Sequence, residues 1–164
     1  MDAARLFEEH HDGLYRYLVR FCGDPDLAAD AAQEAFVRLL ERSPKRSVER
    51  AWLYKVATNV VLDASRARGR RLRLLKAAPE RAPVADAPRD AHEQVVAAER
   101  RRVVRQALAS LSGRERAVLL MREEGFAHRE IAEAVGTTTA SVGTMIARAL
   151  DKLTTMLPLT SEEL

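Results

Sequence analysis

The sequence predicts an all-α fold: two small helical domains joined by a Pro/Ala-rich linker, the C-terminal one a helix-turn-helix. Four observations predict it. Alanine, leucine, arginine and glutamate dominate a chain of 164 residues with only 7 glycines and 6 prolines, a mixture of strong helix formers. No stretch alternates apolar and polar residues as a half-buried strand would. Three prolines, Pro79, Pro83 and Pro88, interrupt residues 77–90, where they forbid a continuous helix and favour an extended tether. Finally, Gly136 separates two short amphipathic segments, the spacing of two helices about a tight turn.

The elements follow in order. Residues 2–22 carry Leu6, Phe7, Leu14, Leu18 and Phe21 on or near one face of a helix. Gly23-Asp24-Pro25 then stops it and starts another, with Asp24 as cap and Pro25 in the first turn. That helix, 25–42, has Leu27, Ala31, Ala35, Phe36, Leu39 and Leu40 as its apolar side and Asp30, Gln33, Glu34 and Arg38 as its polar side. Ser43-Pro44-Lys45-Arg46-Ser47 is a short basic loop, since Pro44 disfavours helix at Ser43. Residues 50–76 form a third helix with Leu53, Val56, Ala57, Val60 and Ala64 as its apolar stripe. This completes the first domain, 1–76; the linker is 77–90 and the second domain 91–164.

In the second domain, residues 91–110 present Val95, Val96, Val103, Val104, Ala107 and Leu108 inward. Ser112-Gly113-Arg114-Glu115 has the form of a capping box and starts a helix that ends at Glu124-Gly125. A short helix spans about Ala127–Val135. Thr138 or Thr139 caps the last helix, which runs to about Leu153. Ile131, Ala132, Val135, Val142, Ile146 and Leu150 are expected to hold these last two helices together. The tail, Leu157–Leu164, is expected to fray.

Charge is unevenly placed. Residues 1–36 hold 3 basic and 8 acidic side chains, net −5, whereas 37–76 hold 12 basic and 3 acidic, net +9. Positive charge confined to one segment is the footprint of a polyanion-binding face. Within that segment Trp52, Lys55, Asn59, Arg66 and Arg70 repeat near the helical period on a side away from the apolar stripe. Cations suit phosphates and planar or amide groups suit bases. On this stretch alone, a core Trp beside a solvated basic edge fits equally well.

Other function classes find little support. Cys22 is the only cysteine, which excludes an intramolecular disulfide or a Cys-based metal cluster. His10, His11, His92 and His128 stand in no ligand or triad spacing, so neither an enzyme nor a cofactor is expected. MDAARLFEEHHDG lacks the basic start and apolar core of a signal peptide. No apolar run approaches the roughly 20 residues of a membrane span. A cytoplasmic protein is expected.

A family resemblance joins these readings. LSGRERAVLLMREEGFAHREIAEAVGTTTASVGTMIARALDKL resembles region 4 of bacterial sigma factors, which binds the minus-thirty-five element, and also the DNA-binding domain of response regulators. GDPDLAADAAQEAFVRLLE is similar to the sigma-factor helix that docks on the polymerase clamp, with Asp30, Gln33, Glu34 and Phe36 at the family's positions and Arg38 beside them. AWLYKVATNVVLDASRARGRR is similar to the segment that engages the minus-ten element. Both halves in this order, without the middle domain of primary sigma factors, resemble an extracytoplasmic-function (ECF) sigma factor.

The resemblance implies a division of labour. Core RNA polymerase would be held through the clamp of its largest subunit and the flap of its second largest. The loop 43–49, with Lys45 and Arg46, would take a flipped base; Trp52, Lys55 and Asn59 would lie at the melted junction. Arg66, Arg68, Arg70 and Arg71 would hold phosphates. An anti-sigma factor is an implied partner. In the last helix Gly143, Thr144 and Met145 stand where the family usually carries Lys, Ser and Arg. Arg148 and Lys152 are its only cations, and Thr137, Thr138, Thr139, Ser141 and Thr144, with Arg129, are left to contact phosphates and thymine methyls. The rival reading is a helix-turn-helix regulator that binds its operator without polymerase.

Overall fold

The computed structural model describes residues 2–42, 49–75 and 91–157, with backbone alone for 70–75 and for 91 and 92. Among these residues seven helices occur and no strand: α1 (Ala3–Cys22), α2 (Pro25–Arg42), α3 (Glu49–Leu75), α4 (Ala91–Ser110), α5 (Gly113–Glu123), α6 (His128–Val135) and α7 (Thr139–Met156). The chain divides into two compact units, 1–84 and 85–164. The tether expected at 77–90, the loop with Lys45 and Arg46, and most of the tail lie outside the described residues.

In the first unit, local signals set the ends of α1 and α2. Asp2 accepts the Arg5 N–H at 3.2 Å, and Gly23, at φ 67°, returns its N–H to the Val19 carbonyl at 2.8 Å. That left-handed φ favours glycine, which has no Cβ to clash. The Asp24 carboxylate then accepts from the N–H groups of Asp26 and Leu27. α2 packs against both α1 and α3. Its buried side includes Ala28, Ala31, Ala32 and Ala35, small enough for neighbouring helices to approach closely.

The inward side of α3 differs from the expected stripe. Leu53 and Ala57 are buried as read, but Val56, Val60 and Ala64 are only half-buried, and Tyr54, Thr58 and Val61 take the core. The reason is polar as well as apolar. Tyr17 and Thr58 share a buried 2.8 Å hydroxyl–hydroxyl hydrogen bond, and the Tyr17 and Tyr54 rings meet at 4.9 Å. A paired hydroxyl can be buried at little cost, so the tyrosine–threonine side competes with the valine side. Phe7 and Leu40, read as inward, are 46% and 52% exposed.

The second unit is built from shorter helices. Ser112 and Glu115 form the expected capping box. Five consecutive residues of α5, Ala117 to Met121, are buried, and Phe126 fills the space behind the α5–α6 turn. Glu130 reaches back to the Ala127 N–H at 2.8 Å, and Gly136, at φ 71°, ends α6. Thr138, not Thr139, caps α7 through the Ser141 N–H, and α7 continues three residues past Leu153. Ile131, Ala132 and Val142 hold α6 to α7 as expected, whereas Leu150 is 48% exposed and Ala149 is buried in its place. On α4 only Ala107 and Leu108 are buried; Val95, Val96 and Val104 are exposed and Val103 half-buried. The packing of α4 in this unit, with α7, involves its last turns.

Candidate nucleic-acid interface

Among the described side chains of α3 burial stops at Val61, and the side opposite the core carries the basic stripe. Lys55, Asn59, Arg66 and Arg68 are exposed and Trp52 is half-buried. Arg70 and Arg71 continue the helix, with only their backbone described. Asp63 shares the stripe and sits 3.5 Å from the Arg66 guanidinium. At the start of the helix Arg50 lies over the Tyr54 ring, 5.4 Å from its centre, a cation–π contact that ties the polar edge to the core.

The outer side of α2 gathers most of the residues expected there. Asp30, Gln33 and Arg38 are exposed; Glu34 is half-buried and pairs with Arg38 at 2.8 Å. Phe36 does not join them. It is 8% exposed, its ring 5.1 Å from Phe7 and 6.3 Å from His11, so it holds α1 to α2. Val37 and Leu40, at 44% and 52% exposure, stand among the polar groups instead. Neither was read from the sequence as a surface residue for a partner. The signal lay in the helical register, since Val37 is seven residues after Asp30 and Leu40 seven after Gln33.

The candidate residues of the second unit split into exposed and engaged groups. Thr139, Thr144 and Arg148 on α7 are exposed, and Thr137 and Met145 are half-buried. Arg129 is 84% exposed in its side chain and lies 3.7 Å from Glu133. The Thr138 hydroxyl accepts the Ser141 N–H and lies 2.7 Å from the Ser141 hydroxyl, so both already serve the helix cap. Lys152 lies along the surface of the unit: its ammonium donates to Glu115 at 2.6 Å. That hydrogen bond, first, and the one from the Ser112 N–H, second, hold the Glu115 carboxyl below its ordinary pKa. Among the described residues no three His, Cys, Asp or Glu side chains gather as a metal site.

Residues 6–71 match the family described as Sigma-70 region 2, and residues 101–153 match Sigma-70, region 4. The two matches cover the helices just described, in the order region 2 then region 4. The chain belongs to the sigma-70 family. Among its relatives, the ECF RNA polymerase sigma factor SigE of Mycolicibacterium smegmatis is 29% identical over 90% of this chain and 58% of its own length. SigG of Mycobacterium tuberculosis is 32% identical over 96% of this chain and 50% of its own length. The chain thus spans between half and three-fifths of these relatives. A solved structure of the sigma factor RpoE with the anti-sigma factor NepR, from Bartonella quintana, has the same fold at a TM-score of 0.75, 19% identity and coverage of 97% of this chain and 98% of that one. The α2 face and the α3 stripe fall inside the region 2 match, and α5–α7 up to Leu153 inside the region 4 match.

Proposed function

We propose that this sigma-70 member is an ECF sigma factor that binds core RNA polymerase and directs promoter recognition, DNA opening and transcription initiation. The two faces of α3 carry the proposal. Leu53, Tyr54, Ala57, Thr58 and Val61 anchor the helix, while Lys55, Asn59, Arg66 and Arg68 stay outside beside the half-buried Trp52. A helix that must separate strands needs a rigid back and a front offering cations to phosphates and flat groups to unstacked bases. Arg66, Arg68, Arg70 and Arg71 hold phosphates in this reading, and Trp52, Lys55 and Asn59 meet the opened bases of the minus-ten element.

The outer side of α2 docks on polymerase. Asp30, Gln33, Glu34 and Arg38 orient the contact, and Val37 and Leu40 supply its apolar centre, the part of an interface that contributes most when desolvated. The second unit binds the minus-thirty-five element through α7, with Thr139, Thr144 and Arg148 outermost. An anti-sigma partner and a cytoplasmic location go with this role; no described helix is long and apolar enough to cross a membrane.

Mixing the chain with core polymerase and mapping transcripts from a promoter library tests the function directly. Promoter-specific starts that need the chain are expected. Binding to DNA with no affinity for core at micromolar concentration sustains the rival regulator. Leu40→Asp or Glu34→Ala should weaken core binding by about tenfold or more, whereas Asn59→Ala and Trp52→Ala should impair open-complex formation and leave core binding unchanged. Equal loss of core binding in all four variants overturns the division of faces.

A further inference from the structure

Three consecutive residues in the first turn of α5 each reach a different helix of the second unit. Arg114 donates from Nε to the Val135 carbonyl at 3.0 Å and from Nη2 to the Gly136 carbonyl at 2.5 Å, closing the C-terminal end of α6. Arg116 donates from Nε to the Leu108 carbonyl at 2.8 Å and from Nη2 to the Leu111 carbonyl at 3.0 Å, doing the same for α4. Between them Glu115 takes the Lys152 ammonium of α7 at 2.6 Å, across 37 residues of chain. Cations at helix C-termini and a carboxylate on an ammonium are charge-assisted contacts, stronger than neutral ones.

Glu115 is held from two sides. One oxygen accepts the Ser112 N–H at 3.0 Å, the other accepts from Lys152, and the Glu115 N–H donates to the Ser112 hydroxyl. The Glu115 side chain is 15% exposed and that of Lys152 51%. Lys152 follows buried Ala149 and precedes Leu153, which packs on Leu108, Leu111 and Leu119. It therefore leaves α7 at the edge of the packed side. For Lys152 to reach a phosphate it would have to abandon a carboxylate beside a polyanion, so its charge is already committed within the unit.

We infer that Arg114-Glu115-Arg116 is a fixture that sets α6 and α7 against α5, and that Lys152 is a positioning residue of this fixture, not a phosphate contact. The inference rests on the minus-thirty-five reading of α7 given above. A cation already paired with a carboxylate of its own chain releases no counterion when DNA binds, so it does not contribute to the salt dependence of binding. Losing the pair loosens the tilt of α7 and costs affinity without changing that dependence.

The test is binding of the full chain, across a salt series, to a duplex carrying the upstream element of a promoter it transcribes. Lys152→Gln and Glu115→Gln should each weaken binding on the order of threefold to tenfold, with the salt slope unchanged and the double variant no worse than either. Glutamine at 115 keeps an acceptor for the Ser112 N–H, so the cap survives and the pair alone is lost. Arg148→Gln, the comparison cation, should lower the slope by about one. A slope lowered by Lys152→Gln, or tighter binding by Glu115→Gln as its lysine is freed, overturns the inference. So does unchanged affinity in both variants. A wild-type chain that binds no duplex, alone or with polymerase, instead overturns the promoter reading and the positioning role with it. Non-additive effects of the two substitutions on thermal unfolding then still reveal the pair.

Discussion

In the first unit, the helix that carries the basic stripe is anchored by a continuous core: Leu53, Tyr54, Ala57, Thr58 and Val61 of α3 against α1 and α2. In the second, the helix that carries the outward threonines has few buried residues, Val142 and Ala149, and takes polar ties near its ends, Thr138 to Ser141 and Lys152 to Glu115, while Arg114 and Arg116 of α5 close the ends of α6 and α4. The difference teaches how helix length decides the means of support. A 27-residue helix can spend several turns in a core and still present a full face. α7 has 18 residues, but the helices it packs on, α6 and α5, have only 8 and 11; they offer it short faces, and their many end groups must be satisfied by side chains from neighbours.

The comparison can be broken most forcefully at Leu53, which is fully buried. Leu53→Ala should cost the first unit about 2–5 kcal/mol. Trp52 is the only tryptophan, so the fluorescence midpoint in urea reports this unit. Hydrogen exchange in α5–α7 should stay unchanged, and equal loss of protection there shows that the units do not unfold separately.

Arg116→Ala should act on the other side, at about 1–2 kcal/mol, because it strips donors from the last carbonyls of α4. Here the Trp52 fluorescence midpoint stays fixed while exchange in α4 and α5 accelerates. A fluorescence shift as large as that of Leu53→Ala contradicts the separation of supports.

Acid sharpens the same contrast. The Glu115 carboxyl is held below its ordinary pKa by Lys152 and then by the Ser112 N–H. Its contribution is therefore fully present above the ordinary carboxylate value and lost as pH falls through the lowered folded value. Thermal melting followed in α5–α7 should fall over that acid range in the wild type. Glu115→Gln should start lower near neutrality and decline less steeply. Parallel profiles for the two proteins deny Glu115 this role.

The smallest effect concerns two glycines within helices. A Cβ at Gly143 would meet only the His128 ring, at 3.9 Å, whereas one at Gly13 would meet the buried Tyr54 hydroxyl at 3.2 Å. Gly143→Ala should therefore stabilise the second unit by about 0.5–1 kcal/mol through helix propensity. Gly13→Ala should gain less or lose, since Tyr54 is packed on Tyr17. Calorimetric melting temperatures check the pair, and an equal rise for both refutes the tight α1–α3 approach.

The sequence by itself determined where helices begin and end. Asp2, Gly23, Asp24, Ser112 with Glu115, Gly136 and Thr138 act within four residues of their targets, so their effect is written in local text. The exposed stripe of α3 was equally legible, because cations recurring at the helical period have no place in a core. Tertiary packing alone decided how each helix is rotated. Neighbouring stripes such as Val56-Val60-Ala64 and Tyr54-Thr58-Val61 both suit a helix, and the choice fell to Tyr17, whose hydroxyl partner lies 41 residues away. The same holds for Leu40, which shares the apolar side of α2 in the sequence yet is exposed in the packed unit. It holds too for Lys152, whose carboxylate partner is brought near only by folding. Period and propensity constrain a helix along its axis; rotation about that axis is set by what stands beside it.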